Sequence, residues 1–445
     1  MPRSRRRKKP PELVTLTIDS LSHDGRGVAS RNGKRVFVEG GLPGEQVVAE
    51  VANRRSRFEE GKVVELLEPA ANRIEPRCAQ AAICGGCSLQ HLSGDDQRRF
   101  KEQMLREQLH HFGELDAVEM LPITAGPEYG YRRKARLGVR YVVKREEVLV
   151  GFREKGSSFI ADIERCHVLD SRVGRLLTEL RQLIHGTSIY RAIPQIEVAM
   201  GDQETALVFR HLEPFTDADL QLLIAFAKEH MLHIYLQPGG NGSVHKLWPE
   251  DGSERLHYRL EEFDLEMAFH PMDFTQVNAN INAQIVSRAL GYLAPQEGER
   301  VLDLFCGLGN FTLPIARSSA QVVGVEGSEQ MVQRGQENAQ RNGIQNAEFY
   351  AADLTQDFTG FSWGREQFDK VLIDPPRSGA LEIVANIERL RPQRVVYVSC
   401  NPATLARDAG ELKQRGYQLE KVGIFDMFPH TTHVESLAVF ERIGS

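Results

Sequence analysis

A cysteine that ends a hydrophobic run is either a small packing residue or a nucleophile, and its surroundings decide between them. Cys400 follows Arg394-Val-Val-Tyr-Val-Ser399 and precedes Asn401-Pro402. That places it at the carboxyl end of an expected strand, the edge at which open α/β sheets bind their ligands. Acids fall at the matching ends of three other expected strands: Glu326 closes the second, Asp353 follows the third and Asp374 follows the fourth. In Val301-Leu-Asp-Leu-Phe-Cys-Gly-Leu-Gly-Asn310 the two glycines, Gly307 and Gly309, allow close approach of the backbone to a ligand. Glu326 stands 19 residues after Gly307, the placement of a carboxylate that grips ribose hydroxyls. A dinucleotide fingerprint would put a third glycine where Thr312 stands.

The segment Asp374-Pro-Pro-Arg377 is a frequent mark of enzymes that methylate bases, where a constrained loop carries an acceptor to the polar edge of the target. Carbon 5 of uracil is a poor nucleophile. A thiolate must first add to carbon 6, giving an enolate whose carbon 5 can take a methyl group, and the proton on carbon 5 must then leave. Cys400 supplies the thiol, and Glu435, in His430-Thr-Thr-His-Val-Glu435, is the candidate base. His430 and His433 lack further metal-ligating neighbours and are read as orienting that loop. Cys306 is read as a packing residue.

These residues need a sheet to hold them. From Asn278 onward strand and helix patterns alternate: strands at 300–305, 322–325, 347–351, 370–373 and 394–399, helices at 311–317 and 329–341, the latter stopped by Asn342-Gly343. Strand-like runs at 418–426 and 436–442 end the chain. This is the pattern of a doubly wound, largely parallel sheet. Upstream, alternation at Val14, Leu16 and Ile18, Asn32-Gly33 ahead of Arg35-Val-Phe-Val38, and Leu42-Pro-Gly-Glu45 suggest about five short strands in a small β-barrel of the oligonucleotide-binding kind. Between them the pattern is mixed. Phe100, Met104, Leu105, Leu109 and Phe112 recur at helical spacing as one buried face, and strands are expected at 135–143, 147–152, 196–198, 206–209 and 232–236. The expected divisions are a basic disordered arm at 1–11, the barrel at 12–68, a central α+β domain at 69–270 and the α/β domain at 271–445.

Hydrophobic residues at 41% and charged ones at 26% fit a folded globular chain, and no stretch approaches the ~20 apolar residues that cross a bilayer. With no apolar signal core at the start, a cytoplasmic location without membrane association is expected. A net charge of −6 argues against a nucleic-acid binder until its distribution is seen. Arg3, Arg5, Arg6, Arg7, Lys8 and Lys9 crowd the arm, which suits a polyanion or a solubilising tail. A second run, Tyr131-Arg-Arg-Lys-Ala-Arg-Leu-Gly-Val-Arg-Tyr141 on to Lys144 and Arg145, interleaves cations with aromatics. Such a run can track phosphates and stack bases, or form a solvated strand face.

Taken together, Phe274-Thr-Gln-Val-Asn278, Phe305-Cys-Gly-Leu-Gly-Asn-Phe311, Asp374-Pro-Pro-Arg377, Ser399-Cys-Asn-Pro402 and His430-Thr-Thr-His-Val-Glu435 resemble, in order, the RNA uracil-5-methyltransferases. The resemblance implies a Rossmann-like domain that uses S-adenosylmethionine, with Cys400 as nucleophile and Glu435 as general base. It implies Gln276, Phe305, Asn310, Glu326, Asp353 and Asp374 around the methyl donor and the uracil. Asn278 also fits the cap of the helix that follows it.

Asp24-Gly-Arg-Gly-Val-Ala29 with Phe37-Val-Glu-Gly-Gly-Leu-Pro-Gly-Glu45 resembles the TRAM domain, a small RNA-binding barrel. Cys78-x5-Cys84-x2-Cys87 with the distant Cys166 resembles the four ligands of a [4Fe–4S] cluster. On spacing alone, four such thiols fit a metal site in a reducing compartment better than disulfides, with zinc and iron–sulfur both open. Within the family, barrel plus cluster implies the branch acting on 23S ribosomal RNA; a monomer is expected. The rival readings are a transfer-RNA member, a cytosine-5 methyltransferase, and a non-catalytic iron–sulfur RNA-binding protein.

Overall fold

The computed structural model describes residues 10–115, 118–318 and 321–444, so the cations of the N-terminal arm, Arg3 to Lys9, lie outside the described residues. The chain divides into two compact units. Of the described residues, one unit comprises 10–100 with 154–157 and 429–432, and the other the remainder.

The first unit is built on a six-stranded sheet in which Glu12–Thr17, Gln46–Arg54, Phe58–Glu68, Lys34–Glu39, Gly27–Arg31 and Ser20–Leu21 are successive neighbours. One strand more than expected appears, because Ser20–Leu21 pairs briefly with Gly27–Val28. Alternation does the folding: Val47, Ala49 and Val51 point inward and meet Leu16, Ile18, Ala29, Val36 and Val38 in one core. The Arg31 to Lys34 hairpin turns at Asn32 and Gly33, both at positive φ (49° and 73°), as a two-residue turn of matching twist requires. Glu45 is wholly buried yet satisfied: its carboxylate accepts from Leu42 N–H at 2.8 Å and Arg73 Nη2 at 2.7 Å. That pair ties the segment after the barrel back onto it. In the same unit His430, at φ 66°, accepts from Ser88 and Leu89 N–H (2.8 and 3.0 Å) and donates its own N–H to Gln97 Oε1 (2.7 Å).

The second unit holds two large sheets. In the first, His245–Trp248, His233–Gln237, Thr205–Arg210, Gln195–Met200, Lys134–Val142 and Glu147–Gly151 lie side by side, with helices Leu177–His185 and Asp217–His230 against it. The second has eight strands in the order Ala347–Ala351, Gln321–Glu326, Arg300–Leu304, Lys370–Ile373, Arg394–Ser399, Glu435–Arg442, Tyr417–Phe425 and Glu119–Met120. Its first five strands are parallel, and Glu435–Arg442 runs antiparallel between its neighbours.

Residues 69–270, expected as one central domain, are divided between bodies. Residues 69–100 group with the barrel, whereas Glu119–Met120 extends the eight-stranded sheet by pairing with Lys421–Val422. Helix Gly94–Gly113 buries Leu105 and Leu109 in the core of that sheet, but Phe112 is 63% exposed, against expectation. The same helix buries a charge instead. Lys101 has no exposed surface, and its ammonium donates to Asp426 Oδ1 at 2.6 Å and to Phe428 O at 2.9 Å.

Candidate active site

The glycine turn after Arg300–Leu304 enters the left-handed region at alternate residues: Phe305, Gly307 and Gly309 have φ of 64°, 55° and 94°. Phe305 is the strained member, since a non-glycine residue is held there only by what surrounds it. Gly307 N–H donates to Glu326 Oε2 at 3.1 Å and Ser328 N–H to Oε1 at 3.0 Å, so the carboxylate is fixed at the mouth of the turn. Thr312 is there for a reason. It is fully buried, and its hydroxyl donates to Asp303 Oδ2 at 2.6 Å. Burial, with Asp374 and Glu326 nearby, pushes the Asp303 carboxyl up to about 8, so at neutral pH it carries a proton. Asp303 lies inside the strand expected at 300–305 and was not singled out by the sequence.

Not every expected ligand-side residue is open. The Asn310 amide exchanges hydrogen bonds with Asn282 (3.0 and 3.1 Å) and accepts from Tyr258 hydroxyl at 2.9 Å, which fixes the turn to the neighbouring helix. Asp353 is exposed, and its Oδ1 accepts from Thr355 N–H at 3.0 Å and hydroxyl at 2.7 Å. Those bonds hold its carboxyl below the usual range. Gln276 is half-buried in a segment tied down on both sides of it. The buried Asp273–Arg334 pair (2.9 Å), Lys134 Nζ on Pro271 O (3.0 Å) and Arg133 N–H on Val277 O (2.8 Å) set its path. Asn278 caps the next helix by accepting from Ile281 N–H.

Cys400, Glu435 and Asp374 come together at the sheet edge. The register pairs Ser399 with Ser436, and Ser436 hydroxyl donates to Ser399 O at 3.1 Å, so one step beyond the pairing Cys400 stands opposite Glu435. Burial, then the charges of Glu435 and Asp374, push the half-buried Cys400 thiol up to about 11. Glu435, 2% exposed, is raised well above the carboxylate range by burial and then by Asp374, and burial lifts Asp374 to about 7. Two carboxyls and a thiol in one low-dielectric place suppress one another's ionisation.

Arg377 is the opposing cation, lowering both Cys400 and Glu435. Its carbonyl accepts from Asn401 Nδ2 at 2.9 Å, and its guanidinium donates to His433 Nδ1 at 2.6 Å. Burial and the cations Arg377, Lys101 and Arg132 push His433 down to about 4, which leaves that nitrogen an acceptor at neutral pH. Behind the loop, Asp408 accepts from Ala380 N–H at 2.7 Å and Tyr397 hydroxyl at 2.6 Å. Arg377, Lys101 and Asp408 were not singled out by the sequence for these roles, since each depends on partners remote in the chain.

Two buried carboxyls beside a thiol at the sheet edge, with Glu326 fixed at the glycine turn, suit a nucleoside donor and a pyrimidine acceptor. A family model described as tRNA (Uracil-5-)-methyltransferase matches residues 95–443. The chain belongs to that uracil-5-methyltransferase family. A second model, the TRAM domain, matches residues 7–64. Among its relatives is the 23S rRNA (uracil(1939)-C(5))-methyltransferase RlmD of Hahella chejuensis, 56% identical over 445 residues, covering 99% of this chain and 100% of that protein. The RlmD of Alcanivorax borkumensis is 53% identical, covering 99% of each chain. The crystal structure of Pyrococcus abyssi tRNA (uracil-54, C5)-methyltransferase with S-adenosyl-L-homocysteine is similar at TM-score 0.74 and 26% identity, covering 96% of this chain and 100% of that one. In this uracil-5-methyltransferase the eight-stranded sheet is thus the methyltransferase fold and the N-terminal six-stranded sheet the TRAM barrel.

The cysteines of the first unit are free thiols, with Cys84 and Cys87 buried and Cys78 half-buried. Gly86 N–H points at Cys84 Sγ at 3.5 Å, and Cys78 is close enough to raise Cys84 by like charge. Among the described residues, no three His, Cys, Asp or Glu side chains converge as a metal site. No helix of the described residues is long and apolar enough to cross a membrane.

Proposed function

We propose that this enzyme transfers the methyl group of S-adenosylmethionine to carbon 5 of a uridine in 23S ribosomal RNA through a covalent Cys400 adduct. The observation that carries the reading is the pair Cys400 and Glu435 one step beyond the Ser399–Ser436 pairing, with Asp374 and Arg377 near enough to shift the thiol. The target base is extruded into the cleft, since a stacked base reaches neither thiol nor donor. Cys400, as thiolate, adds to carbon 6, and the electron pair moves to the carbon 4 oxygen. Carbon 5 then takes the methyl group from the sulfonium donor, leaving a neutral thioether product. Glu435 removes the carbon 5 proton, the carbon 5–carbon 6 double bond re-forms, and Cys400 departs as thiolate. The proton passes on to solvent. Asp374 and Gln276 recognise the uracil edge, and Glu326 holds the donor's ribose.

The resemblance and the names of the relatives support ribosomal RNA as substrate, and the TRAM barrel supports RNA binding. Methyl transfer from labelled donor to unmodified 23S ribosomal RNA tests this directly. Transfer only to transfer RNA would overturn it. We further propose that Cys78, Cys84, Cys87 and Cys166 hold a [4Fe–4S] cluster with a structural or RNA-positioning role. A donor set of four soft thiols, three within ten residues, supports this reading, and no step of the reaction uses the cluster. Iron and acid-labile sulfide analysis of protein purified without oxygen tests it; four thiolates bound to zinc would overturn it.

A further inference from the structure

The basic run at 131–145 leaves one feature unexplained by catalysis. Tyr131 is buried, so the run is not a uniform aromatic face. Tyr141, near the end of the Lys134–Val142 strand, meets residues from elsewhere. Its ring lies 4.9 Å from that of Tyr190, edge to face, and Tyr190 stacks on His185 with centroids 5.5 Å apart and planes 4° from parallel. Arg191 lays its guanidinium over both tyrosines, 4.7 Å from the Tyr141 centroid and 5.4 Å from that of Tyr190. His185 and Arg191 are exposed, while the tyrosines are half-buried. Among the described residues no carboxylate pairs with Arg191 or with the exposed Lys144 of the adjoining turn.

Beside His185 opens a groove of about 510 Å³, large enough for a nucleobase, in which Gln182 and His185 offer polar groups while Arg181 is held by Asp162 Oδ1 at 2.8 Å and Ile163 O at 2.6 Å. All of this belongs to the six-stranded sheet that includes Lys134–Val142, not to the sheet that carries Cys400.

We propose that Tyr141, His185, Tyr190 and Arg191 form a stacking site for an unpaired nucleotide of the RNA substrate, separate from the pocket for the target uridine. An exposed guanidinium held against two aromatic rings, with a third ring stacked beside them, offers π surface to a base and charge to the adjoining phosphate. This is the combination by which proteins hold single-stranded RNA without reading its sequence. The inference rests on RNA being the substrate.

The test uses the full chain and a 23S ribosomal RNA fragment that accepts the methyl group, with 2-aminopurine placed at each of its unpaired positions in turn. One flanking position should lose its fluorescence on binding to wild type, and that quenching should vanish with Arg191→Gln or His185→Ala. Affinity for the fragment should fall about tenfold in the double variant relative to wild type. Tyr190→Phe keeps the ring and should keep the quenching. Quenching at no position, or quenching unchanged in the variants, would overturn the site. Methyl transfer by wild type is measured in the same samples: quenching without transfer would overturn the proposed function and leave the stacking site, whereas transfer without quenching would do the reverse.

Discussion

Cys400 and Glu435 face each other across the end of an antiparallel pair, one step beyond the Ser399–Ser436 pairing. The nucleophile is delivered by the end of one strand and the base by the start of its neighbour, so the backbone ladder itself fixes their relation. Their charges oppose one another, and thiolate and carboxylate together are disfavoured. Addition of the thiolate to carbon 6 removes one of the two charges, and Glu435 is then freer to ionise and accept the carbon 5 proton.

Glu435→Gln keeps the size of the side chain and removes the base. The methylated adduct should accumulate on Cys400 because elimination cannot follow, with turnover down by about 10²- to 10⁴-fold. Denaturing gels and mass analysis of the trapped species check it. Full turnover would place the base elsewhere.

A thiol pushed up to about 11 is mostly protonated at neutral pH. The thiolate fraction, and with it kcat/KM, should therefore rise about tenfold per unit between about pH 7 and about pH 9. Arg377→Met removes the cation that lowers Cys400, so its thiol should rise further, the rate at fixed pH should fall, and the profile should move to higher pH. Arg377→Lys should move it less. A flat profile in wild type would contradict the assignment.

Glu326 is held at the turn by two backbone N–H groups, whereas Asp353 is exposed and occupied by Thr355. Glu326→Ala should weaken S-adenosylmethionine binding about tenfold or more, two good hydrogen bonds being worth roughly that. Asp353→Ala should weaken it less. Titration calorimetry with the donor ranks them, and the reverse order would refute this reading of the mouth.

Lys101 and Asp426 are a buried ion pair. Lys101→Met leaves Asp426 uncompensated and should destabilise the fold by about 3–5 kcal/mol, with Lys101→Met/Asp426→Leu recovering part of the loss. Urea denaturation measures both. Equal stability of the single variant and wild type would mean that Asp426 is satisfied without Lys101.

The succession of strands and helices and the acids at strand ends were legible because hydrophobic runs and their terminating residues are local signals. Cys400, Asp374 and Glu326 were found that way. Phe112 was misjudged because periodicity cannot tell where a helix outruns its core, and Lys101 was missed because its counter-charge lies far along the chain. The hydrogen bonds of Asn310 with Asn282 and Tyr258, and of Asp353 with Thr355, were not legible, because nothing in the local sequence announces those partners. Likewise the Tyr141 cluster gathers residues from a strand, a helix end and a loop, and only half of its pattern was visible in the basic run.

The central claim is that Cys400 bonds to carbon 6 of the target. Incubation with 5-fluorouridine-substituted RNA and donor, followed by peptide mapping, tests it most directly, because fluorine cannot leave as a proton does. A stable RNA adduct on the peptide containing Cys400, absent from Cys400→Ala, is predicted; folded protein that binds this RNA and the donor yet forms no adduct there would contradict it.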